Sequence, residues 1–170
     1  PVDIGVESSI LDVTVDPPMI LRPGAITKEM FEGVVGTVAV DHTLIKPDSK
    51  EVPKAPGMKY RHYAPKAQLT VVEGDTDAVV NYINERTAEH VANGMQVGII
   101  ATVETMEQYQ AGDVKCIGTR ADERTIAAGL FGVLREFDSD GVNVIYSEAF
   151  QEEGIGSAIM NRLLKAAGHQ

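Results

Sequence analysis

The chain has 170 residues, of which 44% are hydrophobic and 24% are charged, and its formal net charge is −10 at pH 7. This length and apolar content predict a folded chain of one ordinary domain, or one domain with part of another. Because phosphate backbones bind basic surfaces, the acidic charge argues against a protein that coats nucleic acids. The single cysteine excludes an internal disulfide and a thiolate zinc site.

Targeting signals are not visible in the sequence. No apolar stretch approaches the roughly 20 residues that a membrane-spanning helix needs. The first residues lack the basic and then apolar layout of a secretory signal. We therefore expect no membrane contact and a cytoplasmic location. The chain opens on Pro1 and enters strand-like sequence at once, so we expect either a processed protein or a piece of a longer one.

Residues 1–45 contain few predicted elements. Two β-rich runs, at 9–15 and 34–40, flank a short helix predicted at 27–31. Two or three strands and one helix cannot bury their own apolar faces. This region therefore resembles part of a domain rather than a whole one.

Residues 46–67 are rich in proline and basic residues. They hold four of the eight prolines in the chain, which predicts an extended linker. Between Lys54 and Lys66 there are four basic side chains, one histidine and no acid. A basic arm on an acidic protein is a functional signal.

Side chains alternate between two sides of an extended segment. Lys59, Arg61 and Tyr63 would then share one side of the arm, while Tyr60 and His62 share the other. Such an arm offers cations for phosphates and rings that stack on a base. The alternative is a plain linker that is held in place by its aromatic contacts.

Residues 68–170 alternate between strand and helix patterns. Apolar strands that alternate with helices predict an α/β domain with a Rossmann-like, doubly wound parallel sheet. The predicted strands are 69–72, 96–101, 114–117 and 142–146, and the predicted helices are 76–91, 104–109, 121–137 and 155–167. Helical spacing predicts two core-facing sets of residues. They are Ala78, Val79, Tyr82, Ile83 and Arg86 in the helix at 76–91, and Ile126, Leu130, Val133, Leu134 and Phe137 in the helix at 121–137.

Several residues are candidates for chemistry, and each has a structural alternative. Arg22 stands between an apolar run and a Pro-Gly turn, so its guanidinium suits a phosphate, a carboxylate or, equally, a structural ion pair. Ser8 and Ser9 start a predicted strand, where a serine is usually a hydrogen-bonded hydroxyl. The turn at 154–157 opens the last helix after an acidic loop at 148–153 that would repel phosphate, so we favour a packing role over an anion site. The four histidines show no metal-binding spacing.

Three segments together resemble one family. Residues 55–65, APGMKYRHYAP, are similar to the interdomain linker of the Sua5/YrdC/YwlC family, the L-threonylcarbamoyladenylate synthases. Residues 5–12 with 20–26 resemble the end of the YrdC-type catalytic domain of that family. Residues 154–167 resemble the end of its C-terminal Sua5 domain. The resemblance implies three parts: a C-terminal fragment of a YrdC-type domain at 1–45, an interdomain linker at 46–67 and a Sua5 domain at 68–170.

The resemblance implies a nucleotidyltransferase. The family makes threonylcarbamoyl-AMP from threonine, bicarbonate and ATP, with Mg²⁺ accompanying ATP and pyrophosphate released. Pathway partners then transfer the threonylcarbamoyl group to tRNA in the t6A37 modification. We do not expect this acidic chain to bind tRNA directly.

The resemblance also implies the roles of particular residues. Ser8 matches the position that contacts threonine. The positions that contact ATP are Arg22 and, in the linker that folds over the nucleotide, Lys59, Tyr60, His62 and Tyr63. The resemblance assigns no catalytic residue and no metal ligand to this chain.

The sequence departs from the family at its amino-terminal side. The basic phosphate-binding motif and the Ser-x-Asn motif of the family should precede Gly5, and neither is in the sequence. Ser9 replaces the commoner threonine and keeps the hydroxyl. We therefore expect that this chain alone does not make threonylcarbamoyl-AMP. The alternative is a standalone module in which residues 68–170 bind a nucleotide or a partner protein.

Overall fold

The computed structural model describes residues 5–41, Leu44 and 64–168. These residues form two sheets, one of three strands and one of four. No helix in these ranges is both long and apolar enough to cross a membrane.

The smaller sheet lies at the amino-terminal side. β1 (Ile10–Asp12) pairs antiparallel with β2 (Met19–Arg22), and β2 pairs parallel with β3 (Ala39–Val40). Between β2 and β3 the chain forms α1 (Lys28–Val35), none of whose residues is buried. This sheet therefore has a helix beside it but little core between the two.

Two strands of this region are shorter than the sequence predicts. The run at 9–15 is a strand only to Asp12, because the Asp12 carboxylate accepts hydrogen bonds from the amide and the hydroxyl of Thr14, at 2.9 and 2.6 Å. In the run at 34–40 the first two valines belong to α1. Thr27 caps the start of that helix and Gly36, with φ of 81°, ends it.

The larger sheet is wholly parallel, with strand order β4-β7-β5-β6. Each connection between its strands except that from β5 to β6 contains an α-helix. The elements are β4 (Gln68–Val72), α2 (Thr76–Ala92), β5 (Val97–Ala101), a 3₁₀ turn (Met106–Gln108), β6 (Asp113–Cys116), α3 (Glu123–Asp140), β7 (Val144–Glu148) and α4 (Gly156–Ala167).

Helices cover both faces of this sheet. On one face α3 and α4 enclose a core that includes Leu69, Ile100 and Ile145. On the other face α2 packs on Ile99 and Tyr146. The prediction of a doubly wound, Rossmann-like α/β domain is confirmed.

The residues predicted to face the core are confirmed for α3 and corrected for α2. Every apolar residue predicted to face the core from α3 is buried, namely Ile126, Leu130, Val133, Leu134 and Phe137. On α2 the predicted stripe included Tyr82, which is 46% exposed. Val80 and Thr87 complete that buried face instead.

Candidate functional site at the junction of the two sheets

Two of the residues predicted to bind substrate are in direct contact. The guanidinium of Arg22 donates from Nε to the Ser8 carbonyl at 2.9 Å and from Nη2 to the Ser8 hydroxyl at 2.8 Å. Arg22 ends β2 and lies opposite Ile10, the first residue of β1. The register of the hairpin therefore places the Arg22 side chain beside Ser8, which lies two residues before β1.

The turn that follows β2 presses on the same segment. A Cβ on Gly24 would lie 2.2 Å from the Glu7 carbonyl oxygen and 2.5 Å from the Ser9 nitrogen, so only glycine fits there. The Ser9 hydroxyl donates to the Ile26 carbonyl at 2.7 Å and accepts from the Ile26 amide at 3.0 Å. Residues 7–9 are therefore fixed to the turn after β2 through both backbone and side chain.

The other side of this segment lies on the larger domain. A Cβ on Gly5 would lie 1.9 Å from the Ala127 carbonyl oxygen of α3. Val6 packs against the core that α3 and α4 share. Arg162 of α4 places Nη1 3.8 Å from the Glu7 carboxylate, and its guanidinium also lies over the Phe131 ring.

Several cations surround Glu7. Arg162 and Lys165 are 8% and 7% exposed. Burial lowers the pKa of the Lys165 ammonium, the charge of Glu7 opposes that shift, and the charges of Arg22 and Arg162 add to it. The junction therefore concentrates positive charge beside Ser8 in a chain whose net charge is −10.

A cleft of about 520 Å³ separates β2 and α1 from α4. Its lining includes Gly24, Thr27 and Lys28 on one side and Ser157 and Asn161 on the other. The described residues that line it do not include Ser8 or Arg22. Its volume is in the range of sites for small molecules.

The carboxyl edge of the larger sheet holds a polar cluster that sequence reasoning missed. The sequence predicts Glu148 in an acidic loop after a strand at 142–146, but β7 continues to Glu148, which is 1% exposed. Its carboxylate accepts hydrogen bonds from the Thr105 hydroxyl, from the Tyr109 hydroxyl at 2.7 Å and from Arg120 Nη2 at 2.6 Å. Burial, together with this carboxylate, raises the pKa of the Tyr109 phenol.

This cluster occupies the position where parallel α/β sheets commonly bind ligands. Beside it remains a cavity of about 50 Å³, which Gly74, Thr76 and Arg120 line together with Glu148. A volume of that size holds one or two water molecules. The buried carboxylate thus fills the crevice at the strand ends and ties the loops after β5 and β6 to β7.

The remaining candidates are accounted for as follows. Lys59, Tyr60, His62 and Tyr63 lie outside the residues that the structure describes. The turn at 154–157 packs tightly, since a Cβ on Gly156 would lie 2.0 Å from the Gln151 carbonyl oxygen. Among the described residues no group of three or more His, Cys, Asp or Glu is arranged to hold a metal ion.

Comparisons with known proteins show which proteins the chain is similar to. A family model described as "Threonylcarbamoyl-AMP synthase, C-terminal domain" matches residues 26–168. Threonylcarbamoyl-AMP synthase from Bacillus subtilis is 46% identical over 168 residues, which are 99% of this chain and 47% of the relative. The protein of the same name from Pyrococcus abyssi is 44% identical over 167 residues, which are 98% of this chain and 47% of the relative.

Solved structures of Pyrococcus abyssi Sua5 are similar to this chain at 41% identity. The complex with L-threonine has a TM-score of 0.85 and covers 98% of this chain and 47% of that one. A variant in which a histidine and a tyrosine are replaced by alanine has a TM-score of 0.86 and covers 98% of this chain and 46% of that one. The chain spans less than half the length of the relatives that it matches.

Proposed function

The chain belongs to the family of the threonylcarbamoyl-AMP synthase C-terminal domain, and we propose that it is the carboxyl-terminal part of an enzyme that makes L-threonylcarbamoyladenylate. The substrates are threonine, bicarbonate and ATP, and pyrophosphate is released. The reaction is a nucleotidyl transfer in which a carbamate oxygen attacks the α-phosphate of ATP. The observation that carries this proposal is the contact between Arg22 and Ser8.

The contact supports the proposal because it links two substrate positions. Ser8 would hold threonine, and Arg22 would place positive charge near the ATP phosphates, where charge develops as pyrophosphate leaves. Transfer between two bound substrates requires that their reacting atoms be held close together. Two hydrogen bonds from one guanidinium, at 2.9 and 2.8 Å, set the distance between the residues that would bind them.

The linker would complete the nucleotide side of the site. Lys59, Tyr60, His62 and Tyr63 would contact ATP and close over it, which would keep water away from intermediates that hydrolyse. Mg²⁺ would enter with ATP, since the described residues offer it no ligand cluster. The product would pass in the cytoplasm to partners that modify tRNA, and this acidic chain would not bind tRNA itself.

The alternative of a standalone nucleotide-binding module is less well supported. In such a module residues 68–170 would bind the nucleotide at the carboxyl edge of the sheet. There Glu148 and its partners leave a cavity of about 50 Å³, whereas ligand sites usually occupy about 300 to 1,000 Å³. A variant without the first 67 residues should therefore not bind ATP, and ATP binding to it would favour the module instead.

A chimeric enzyme tests the proposed function. The amino-terminal part of the Bacillus subtilis relative is fused to this chain in place of its own carboxyl-terminal part, to which this chain is 46% identical. We expect the chimera to release pyrophosphate only when threonine, bicarbonate and ATP are all present. This chain by itself should release none. A folded chimera without that activity would contradict the proposal.

Substitution of a second arginine provides the matched control for Arg22. Arg22→Ala in the chimera should raise the KM for ATP, because the cation beside Ser8 is lost. Arg86→Ala removes a cation that is paired with Glu89 on α2, away from the junction, and should leave the KM unchanged. Equal effects of the two substitutions would show that Arg22 has no particular role in ATP use.

A further inference from the structure

The last helix buries two basic side chains against the amino-terminal segment. Arg162 and Lys165 lie three residues apart on α4, and both are more than nine-tenths buried. Arg162 pairs with Glu7, whose carboxylate is 3.8 Å from its Nη1. Long basic side chains are rarely buried so deeply unless an acid accompanies them. The larger domain therefore uses Glu7 to accommodate its own buried charge.

The residues before Glu7 also rest on the larger domain. Gly5 lies so close to α3 that a Cβ would meet the Ala127 carbonyl oxygen at 1.9 Å. Val6 packs into the core between the sheet and the helices. Three consecutive residues are thus attached to the domain formed by residues 64–168, and each makes a different kind of contact.

This attachment ends where the substrate contacts begin. Ser8 is the next residue, and its carbonyl and hydroxyl accept the two hydrogen bonds from Arg22. Gly24 closes against residues 7–9 from the opposite side. The orientation of Arg22 is therefore tied through Ser8 and Glu7 to α4.

We propose that α4 positions the threonine and ATP contacts of the site, because Arg162 holds Glu7 immediately before Ser8. The identity of these substrates rests on the proposed function, whereas the positioning is a property of this chain alone. Arg162 is a positioning residue, which would act on the site through Glu7. The Sua5-type domain would accordingly orient the substrate contacts through Glu7.

Hydrogen exchange in the 170-residue chain tests the positioning directly. Arg162→Met keeps a long unbranched side chain and removes the guanidinium charge that pairs with Glu7, and Glu7→Gln removes the charge from the other partner. We expect amides of residues 6–12 to exchange about tenfold faster in each variant, because local opening no longer breaks a partly buried charged contact. The double variant should resemble either single one, since both remove the same pair.

Arg135→Met is the matched control. Arg135 also lies over the Phe131 ring, at the same 5.3 Å as Arg162, but it pairs with Asp138 within α3. We expect exchange in residues 6–12 to stay unchanged in this variant. Unchanged exchange in both Glu7→Gln and Arg162→Met, or an equal increase in Arg135→Met, would overturn the proposal. If Arg162→Met does not fold, Glu7→Gln decides, because it leaves α4 intact.

The chimeric enzyme supplies a readout that loss of stability alone would not move. Arg162→Met should raise the KM for threonine at least about fivefold with a smaller change in kcat, and Arg162→Lys should restore part of the loss. An active chimera whose KM does not respond would overturn the positioning role. An unsubstituted chimera that is inactive would contradict the proposed function, and hydrogen exchange would still decide the positioning.

Discussion

Residues 5–41 and residues 64–168 differ in how much hydrophobic core they bury. The larger region encloses its apolar side chains between a four-stranded sheet and helices on both faces. In the smaller region Ile20 and Val38 are the buried large hydrophobic residues that the structure describes. Seven of the eleven exposed large hydrophobics in the described ranges lie there, namely Val13, Val15, Ile26, Met30, Val34, Val35 and Val40.

The difference teaches how the two regions depend on each other. Residues 64–168 bury enough apolar surface to fold alone. Residues 5–41 cannot, so their order comes from contacts such as that of Val6 with the larger core.

Separating the two regions should have the largest effect. We expect a variant that begins at Ala64 to keep its α/β circular dichroism spectrum and a cooperative thermal transition. A peptide of residues 1–45 should show neither, because its strands have no core to cover. A cooperatively folded peptide would break the comparison.

Truncating one apolar side chain in each region sharpens the comparison at the level of single residues. Leu130→Ala removes a side chain that is 0% exposed on α3, and we expect it to lower the free energy of unfolding by about 3 to 5 kcal/mol. Val34→Ala truncates a side chain on α1 that is 85% exposed, and it should change the free energy of unfolding by less than about 0.5 kcal/mol. Urea unfolding of both variants measures the difference. A large cost at Val34 would mean that α1 is covered in solution.

The buried carboxylate at the strand ends gives the next effect in size. Glu148→Gln keeps the shape of the side chain but removes the charge that faces Arg120, Tyr109 and Thr105. We expect the free energy of unfolding to fall by about 1 to 3 kcal/mol, as for a buried charged hydrogen bond. Glu153→Gln, in the exposed loop that follows, is the control and should have no measurable cost. If Glu148→Gln is as stable as Glu153→Gln, the loops after β5 and β6 do not need the charge of this carboxylate.

How far the sequence predicts the fold depends on the range of the interactions. The core stripe of α3 is predictable because residues such as Leu130 and Leu134 recur at helical spacing. The end of the helix at Val34 and Val35 is not, since these β-branched residues favour strands locally while the Thr27 cap and Gly36 fix the helix. Local patterns therefore succeed where packing and propensity agree.

The site divides in the same way. Arg22 draws attention in the sequence because a Pro-Gly turn follows it, but its contact with Ser8 depends on the register of the β1–β2 hairpin. The burial of Glu148 is not predictable, because Arg120 and Thr105 reach it from loops 28 and 43 residues away. The role of Glu7 requires α4 to be in place, and no local pattern encodes that.

The smallest expected effect concerns an exposed carboxylate that joins two loops of the larger domain. Hydrogen bonds from the Thr119 hydroxyl at 2.5 Å and the Arg120 amide at 2.9 Å hold the pKa of Glu104 at about 2, below its ordinary 4.5. Because the folded state lowers this pKa, the ionised group stabilises the fold above pH 4.5, and the contribution is lost as the pH falls through about 2.

Glu104→Gln should therefore be less stable than the unsubstituted chain at neutral pH, by less than about 1 kcal/mol, because water screens the exposed group. The difference should shrink below pH 4.5 and vanish near pH 2, which urea unfolding at several pH values would measure. A difference that stays constant over this range would mean that the hydrogen bonds act through shape and not through charge. The loop after β5 would then be held by packing, as the core of the larger domain is. Glu148 would be the carboxylate whose charge matters at the carboxyl edge of the larger sheet, and Glu104 would not.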